Sequence, residues 1–166
     1  VLGWWDNGIR HISSNKIHIK SLEDCRKSII RIAKNEMHRL VFENLGFKTK
    51  FVDVKQLQNA IINDEVDTQE NPLTNIINYG IEDYHPYITL TSHLFGTSIL
   101  LSNKKKYYEW PDAFKLNLSN AIKKATQFQR KLAFDEDIRC LEYLQQKGTQ
   151  IQEIDKELKD TMKKIS

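Results

Sequence analysis

Residues 28–52 read SIIRIAKNEMHRLVFENLGFKTKFV, and the fold turns on how they are parsed. Ser28-Ile29-Ile30-Arg31-Ile32 is a β-branched run, which predicts a buried strand with one charge embedded in it. The period then changes. Over residues 34–45, Met37, Leu40, Val41 and Leu45 fall close to one face of a helix, and Gly46 is a natural stop. Lys48 to Val52 returns to strand character.

The alternation continues outward in both directions. Asp53 caps a predicted helix to about Asn63, with Leu57, Ala60 and Ile61 inward, and a strand follows near Glu65–Glu70. Asn71 before Pro72 suits an N-cap, with Leu73, Ile76 and Ile77 on the apolar face of the next helix. Tyr87–Thr91 and Leu94–Ser102 read as two strands. Upstream, residues 1–9 read as a strand followed by the turn Asp6-Asn7-Gly8, with Arg10-His11-Ile12 continuing extended. Ser21-Leu22-Glu23-Asp24 has capping-box spacing. Strands alternating with helices predict an α/β layer structure with at least some parallel strands.

Pro111 begins something different. Phe114, Leu118, Ala121, Ala125, Phe128 and Leu132 recur at helical steps, and Gly148 is the first plausible stop. A helix of about 35 residues spans roughly 50 Å, whereas a compact domain of this size has a radius of gyration of about 15 Å. Such a helix either kinks near Phe134-Asp135-Glu136 or runs across more than one lobe. Ile151 to Ser166 reads as a short strand and a charged terminal helix.

Composition narrows the function classes. The chain has 166 residues, 40% hydrophobic and 28% charged, so it can build a packed core and is not a disordered segment. Apolar runs such as Ile99-Leu100-Leu101 are far short of a membrane span. The net charge of +3 is mild, and the one dense basic run, Lys104-Lys105-Lys106, reads as a solvated patch, so no nucleic-acid partner is expected. The chain opens on Val1, with no targeting segment in view, and Val1–Trp5 reads as a strand entered midway; the expectation is a processed, truncated or partial chain. Cys25 and Cys140 form no metal pair, and a bridge between them requires the fold to bring them together. There is no G-x-S-x-G, H-E-x-x-H or Gly-rich phosphate loop, and the five histidines lack ligand spacing. An enzyme, a cofactor and a metal therefore have no positive motif.

Arg31 is more informative. A guanidinium inside an apolar strand must be paired or face a cleft, because an unpaired buried charge costs several kcal/mol. Its two readings are a structural ion pair and capture of an anion, for which the planar fork is suited. Arg10, at the end of another predicted strand, is a second candidate. The polar run Asp67–Asn71 precedes a helix start, where α/β sheets present groups to ligands.

Taken together these stretches resemble the solute-binding proteins of TRAP transporters, the DctP family. Trp4-Trp5-Asp6-Asn7-Gly8-Ile9-Arg10 resembles its W-x-x-G-[FYLI]-R segment. Asp24–Ile32 resembles its D-L-K-G-L-K-I-R-V, Val66–Pro72 its V-D-G-Q-E-N-P, and Tyr87–His93 its Y-L-T-L-T-N-H, while Trp110–Arg130 resembles its L-P, long-helix and Q-R pattern. Order and spacing agree over nearly the whole chain. The resemblance implies a periplasmic-binding-protein-like, class II-type two-lobed α/β fold and periplasmic capture of a small organic acid for the membrane subunits of a TRAP transporter. It implies that Arg31 forms the carboxylate salt bridge, that Arg10 is a second arginine of the site, and that Asn71 contacts the same carboxylate. His93 takes a cleft-lining or hinge-adjacent position, and Val54 stands where many members place an aromatic residue over the ligand.

The departures are specific. Lys27, Asp64 and Thr68 replace family glycines at expected turns, Ala33 replaces a proline, and Gln56 replaces a common glutamate. By resemblance, residues 9–96 and 137–166 form most of the second lobe, and residues 1–8 and 97–136 are a remnant of the first lobe with the spanning helix. An incomplete first lobe leaves apolar strand surface such as Leu94–Leu101 uncovered, and the expected cover is another chain, a swapped copy or a rearrangement. The alternative to capture is a truncated relative that acts as an interaction module or oligomer.

Overall fold

The computed structural model describes residues 1–165. β1 (Gly3–Ser14) leads through α1 (Leu22–Lys27) to β2 (Ile29–Ile32), α2 (Glu36–Asn44) and β3 (Lys48–Phe51). A 3-10 turn at Val54–Gln56 passes into α3 (Leu57–Ile62), then β4 (Thr68–Pro72), α4 (Leu73–Asn78) and β5 (Tyr87–Leu100). α5 (Lys104–Glu109), α6 (Asp112–Gln146), β6 (Gln150–Glu153) and α7 (Lys156–Ile165) complete the chain; Ser166, at the end of the predicted terminal helix, lies outside the described residues.

All six strands form one sheet in the order β3-β2-β4-β1-β5-β6. β2 runs parallel to β3 and β4, and β5 runs parallel to β6. β1 is antiparallel to both of its neighbours, β4 and β5. Alternation along the strands sends side chains to two cores. Ile12, Ile30 and Ile32 pack with Phe42 of α2, with Leu45 just past its end, and with Leu158 and Met162 of α7. Ile88 and Val66 pack on the other face with Leu57 and Ile61 of α3, Leu73 and Ile76 of α4, and Cys140 and Leu144 of α6. Cys25 belongs to the first core and Cys140 to the second; both are free thiols, so no bridge joins them.

Several local expectations give way to long-range pairing. Asp6-Asn7-Gly8 is not a chain-reversing turn but a bulge within β1: the pairing with β5 skips from Asp6↔Thr97 to Gly8↔Gly96, and Gly8 takes a φ of +102°. Gln129 of α6 holds the bulge, accepting from Asp6 N at 3.0 Å and donating to Asp6 O at 2.7 Å, which gives the Gln-Arg pattern its structural reason. The two predicted strands at 87–102 are one strand, β5, with Ser92 at φ +47° absorbing the irregularity. Of the replaced glycines only Asp64 sits at positive φ, +53°; Lys27 ends α1 and Thr68 lies in β4. Met37 and Leu40 are exposed rather than inward, because α2 turns Phe42 and Leu45 toward the sheet. The long helix runs through residues 134–136 without interruption and stops before Gly148, at φ +89°.

At the end of α2, Phe47 N reaches back to Phe42 O at 3.0 Å and Gly46 takes φ +99°, a conformation that disfavours a Cβ. A methyl group there would also meet Arg26 Cγ at 2.8 Å. Gly46→Ala is expected to lower stability by about 1 kcal/mol or more, read as a lower urea midpoint at unchanged m-value.

Candidate functional site

Arg31 is the third residue of β2 and is 5% exposed. Its neighbours Ile30 and Ile32 enter the first core, so strand alternation turns Arg31 to the opposite face. Nε donates to Val52 O at 2.8 Å. Among the described residues no carboxylate lies within ion-pair distance of it, and Nη1 and Nη2 have no hydrogen-bond partner in the fold. Burial lowers its pKa, opposed by the charge of Glu70 and reinforced by that of Arg10; an arginine remains a cation nonetheless. The fork is thus not in an internal ion pair among the described residues, and it lies on the wall of a cleft.

The cleft is a cavity of about 560 Å³ beyond the carboxyl ends of β2, β3 and β4, lined by Arg31, Arg10, Val54, Asn71, Asn75 and Tyr79, with Lys34 and Asp53 also on its wall. Open α/β sheets place ligands at such a position. It brings together four residues singled out from the sequence: Arg31, Arg10, Asn71 and Val54. Asn75 and Tyr79 were missed, although they stand four apart, a spacing that the predicted helix after Pro72 carries onto one side.

Arg10 lines the cavity but is paired within the fold. Its guanidinium is held by Glu70: Nε meets Oε2, and Nη2 donates to Oε1 at 2.8 Å. Nη2 also reaches Glu70 O at 2.8 Å and Asn71 Oδ1 at 3.0 Å. Arg10 is therefore not a second free cation, because a carboxylate of the same fold already matches its charge. Glu70 itself is 0% exposed. Burial pushes its carboxyl pKa up, but hydrogen bonds from His93 and Arg10 outweigh burial and hold it below the ordinary glutamate value. Glu70 carried no assigned role in the sequence.

Asn71 is the last strand residue before Pro72, and Pro72 takes the cap position of α4, so the N-cap reading of Asn71 fails. Its amide joins the polar row instead, donating to Gln69 Oε1 at 2.6 Å and accepting from Arg10. His93 stands apart from Arg31. Its Nδ1 lies 2.7 Å from Thr91 Oγ1 and its Nε2 lies 3.3 Å from Glu70 Oε2. It opens onto a second cavity of about 440 Å³, lined by Met37, His38, Phe42 and Met162 among others. Glu70 lines this second cavity and pairs both with His93 and with Arg10, which lines the first.

Among the described residues no group of three or more His, Cys, Asp or Glu could hold a metal ion, and no helix is long and apolar enough to cross a membrane.

A family model described as bacterial extracellular solute-binding protein, family 7 (DctP) matches residues 1–166. A solute-binding protein of Verminephrobacter eiseniae is 29% identical over 157 residues, covering 94% of this chain and 47% of its own length. The sugar acid binding protein of Advenella mimigardefordensis, solved in complex with galactonate, superposes with a TM-score of 0.88 at 27% identity over 98% of this chain and 53% of that one. A TRAP periplasmic solute-binding protein of Ochrobactrum anthropi, with its C-terminus bound in the ligand-binding pocket, gives 0.91 at 28% identity, over 99% and 51%. The chain thus spans about half the length of the relatives it matches, and those relatives are solute-binding proteins, not enzymes.

Proposed function

This chain belongs to the DctP family, the bacterial extracellular solute-binding proteins of family 7, and we propose that it carries the carboxylate-capturing wall of a periplasmic TRAP-type solute-binding protein. The ligand is a small organic acid, and the fork of Arg31 receives its carboxylate. Asn71 and Arg10 line the same cavity, with Glu70 fixing the Arg10 side chain, and Val54 supplies an apolar flank. The observation that carries this reading is Arg31 itself: a cation 5% exposed, with Nη1 and Nη2 unpartnered among the described residues, on the wall of a cavity. Burial of an unmatched charge costs several kcal/mol, and a bound anion removes that cost while two parallel hydrogen bonds fix its orientation. Delivery to the membrane subunits of a TRAP transporter, and hinge closure over the ligand, belong to the same reading.

The lobes divide where the long elements bend or run on. Residues 9–96 and 137–166 form one lobe, and residues 1–8 and 97–136 belong to the other with the spanning helix. The boundary in β1 and β5 falls at the Gly8↔Gly96 bulge, and α6 crosses it unbroken. Calorimetry tests the capture reading. Small organic acids should give binding heat with this chain and their uncharged amides none; equal heats, or none from any acid, would overturn it.

One observation favours a second reading, an interaction module or oligomer. Phe95 and Ile99 of β5 and Phe114, Phe128 and Phe134 of α6 are exposed, more large apolar side chains than a free surface needs. Sedimentation at a series of concentrations separates the two. A monomer that binds acids supports capture, and a tight oligomer indifferent to acids supports the module.

A further inference from the structure

Four side chains beside and behind the first cavity form one hydrogen-bonded row. Arg10 Nη2 donates to Asn71 Oδ1 at 3.0 Å. Asn71 Nδ2 donates to Gln69 Oε1, and Gln69 Nε2 donates to Ser13 Oγ, both at 2.6 Å. Strand register builds the row. Gln69 and Asn71 stand two apart on β4 and so point to one face, and Ser13 is the partner of Gln69 on β1. Gln69 and Ser13 have no exposure to solvent, and neither lines the cavity; Asn71 does.

The direction of each bond follows from the first. An arginine donates and never accepts, so the Asn71 atom that meets Nη2 is its oxygen. The Asn71 NH2 then faces Gln69, which must answer with an oxygen, and the Gln69 NH2 is left for Ser13. A side-chain amide has two hydrogens to give. Asn71 gives one to Gln69, and the other has no taker among the described residues. We propose that Gln69 is a positioning residue: by holding the Asn71 amide with its oxygen toward Arg10, it aims the spare N–H of Asn71 at the carboxylate that Arg31 receives. The inference rests on the capture reading above and deepens it. The last torsion of an asparagine is broad, so without Gln69 the N–H is present but not aimed. Gln69 acts only through Asn71. A Gln69 that merely filled the core would lower stability and leave the effects of the two residues on affinity independent.

The test is a double-mutant cycle on Gln69 and Asn71 in this chain. Acetate, lactate and succinate are titrated by calorimetry, and the tightest of the three is carried through the variants. Hydrogen bonds to a charged group are the stronger kind, so Asn71→Ala should weaken binding by about tenfold or more, and Gln69→Met by about threefold or more. In the Asn71→Ala background, Gln69→Met should change affinity by less than about twofold, whatever it does to the urea midpoint. A larger loss in that background would overturn the inference, as would a Gln69→Met or an Asn71→Ala chain that binds as the parent does; capture by Arg31 stands in each case. If none of the three acids binds the parent chain, the capture reading fails and this inference with it. Should Gln69→Met not fold, as judged by circular dichroism, Ser13→Ala, which releases the far end of Gln69, takes its place in the cycle under the same criteria.

Discussion

Replacing Arg31 by alanine is expected to weaken carboxylate binding by about 10²–10³-fold or more. Removing one partner of a buried charge pair costs about 3–5 kcal/mol, and each 1.4 kcal/mol is a factor of ten in affinity. The estimate applies because Arg31 has no ion-pair partner among the described residues, so a ligand carboxylate would be its counter-charge. The same absence makes a second expectation that separates binding from folding. Arg31→Ala gives up one hydrogen bond to Val52 O, worth about 1 kcal/mol, and removes an unmatched buried charge. Its urea midpoint should therefore stay close to that of the parent while its affinity collapses. Arg31→Lys keeps the charge but loses the planar fork, so it should recover only part of the affinity. Calorimetry on the three proteins with one organic acid checks this. An alanine variant that binds as the parent does would remove Arg31 from the role, and an alanine variant that unfolds would make Arg31 a structural residue.

The strand-helix alternation was legible because it is local. Ile29–Ile32 has the β-branched composition of a buried strand, and Ser21 before Asp24 caps α1 as its spacing predicts. Arg31 was legible for a related reason, since a charge within an isoleucine run stands out without any knowledge of what lies across from it. What escaped the sequence depends on pairing between distant segments. Arg10 reads as a free cation until the register of β1 against β4 brings Glu70 to it, sixty positions away. Asn71 before Pro72 carries a local cap signal, yet β4 extends through Pro72 and turns the Asn71 amide toward Arg10. The bulge at Asn7 uses the same Asn-Gly chemistry as a turn, and only the continued pairing with β5 distinguishes them. The apolar row on α6 gave the helix correctly but not its partner, since Phe128 is 69% exposed. Periodicity states that a face is apolar and leaves unsaid what covers it.

Lowering the pH from 7 to 4 is expected to cost the fold on the order of 6 kcal/mol, drawn from two buried histidines. Burial holds His85 at a pKa of about 4 against an ordinary value near 6.5, with Asp67 and Ser13 opposing it weakly. Burial does the same to His11, again to about 4, helped by the neighbouring charges of His93 and Lys159. The surroundings of both rings favour the neutral form. Ser92 N–H can only donate, so His11 Nδ1, at 3.2 Å, must accept. Gln69 donates to Ser13 Oγ at 2.6 Å, and Ser13 Oγ lies 2.9 Å from His85 Nδ1. His85 Nε2 is buried with no partner among the described residues, so the doubly protonated ring would leave an N–H unmatched there. Between pH 6.5 and 4 the unfolded chain binds these protons and the native chain refuses them, so stability rises with pH across that window. At 1.36 kcal/mol per pH unit, each ring contributes on the order of 3 kcal/mol. Glu70 extends the loss at the acid end, because its depressed pKa makes the native state release a proton that the unfolded state holds near pH 4. Domains of this size have about 5–15 kcal/mol in total, so acid unfolding should set in within this window. Urea midpoints at pH 7.5, 5.5 and 4.5 measure the slope. His85→Phe fills the buried site without a titrating group, and it should cut the histidine part of the acid loss by about half whatever it does to stability at neutral pH. An unchanged slope in that variant would mean that His85 accepts its proton in the native state, and the neutral ring that Ser13 and Gln69 hold in place would not be the form the fold requires.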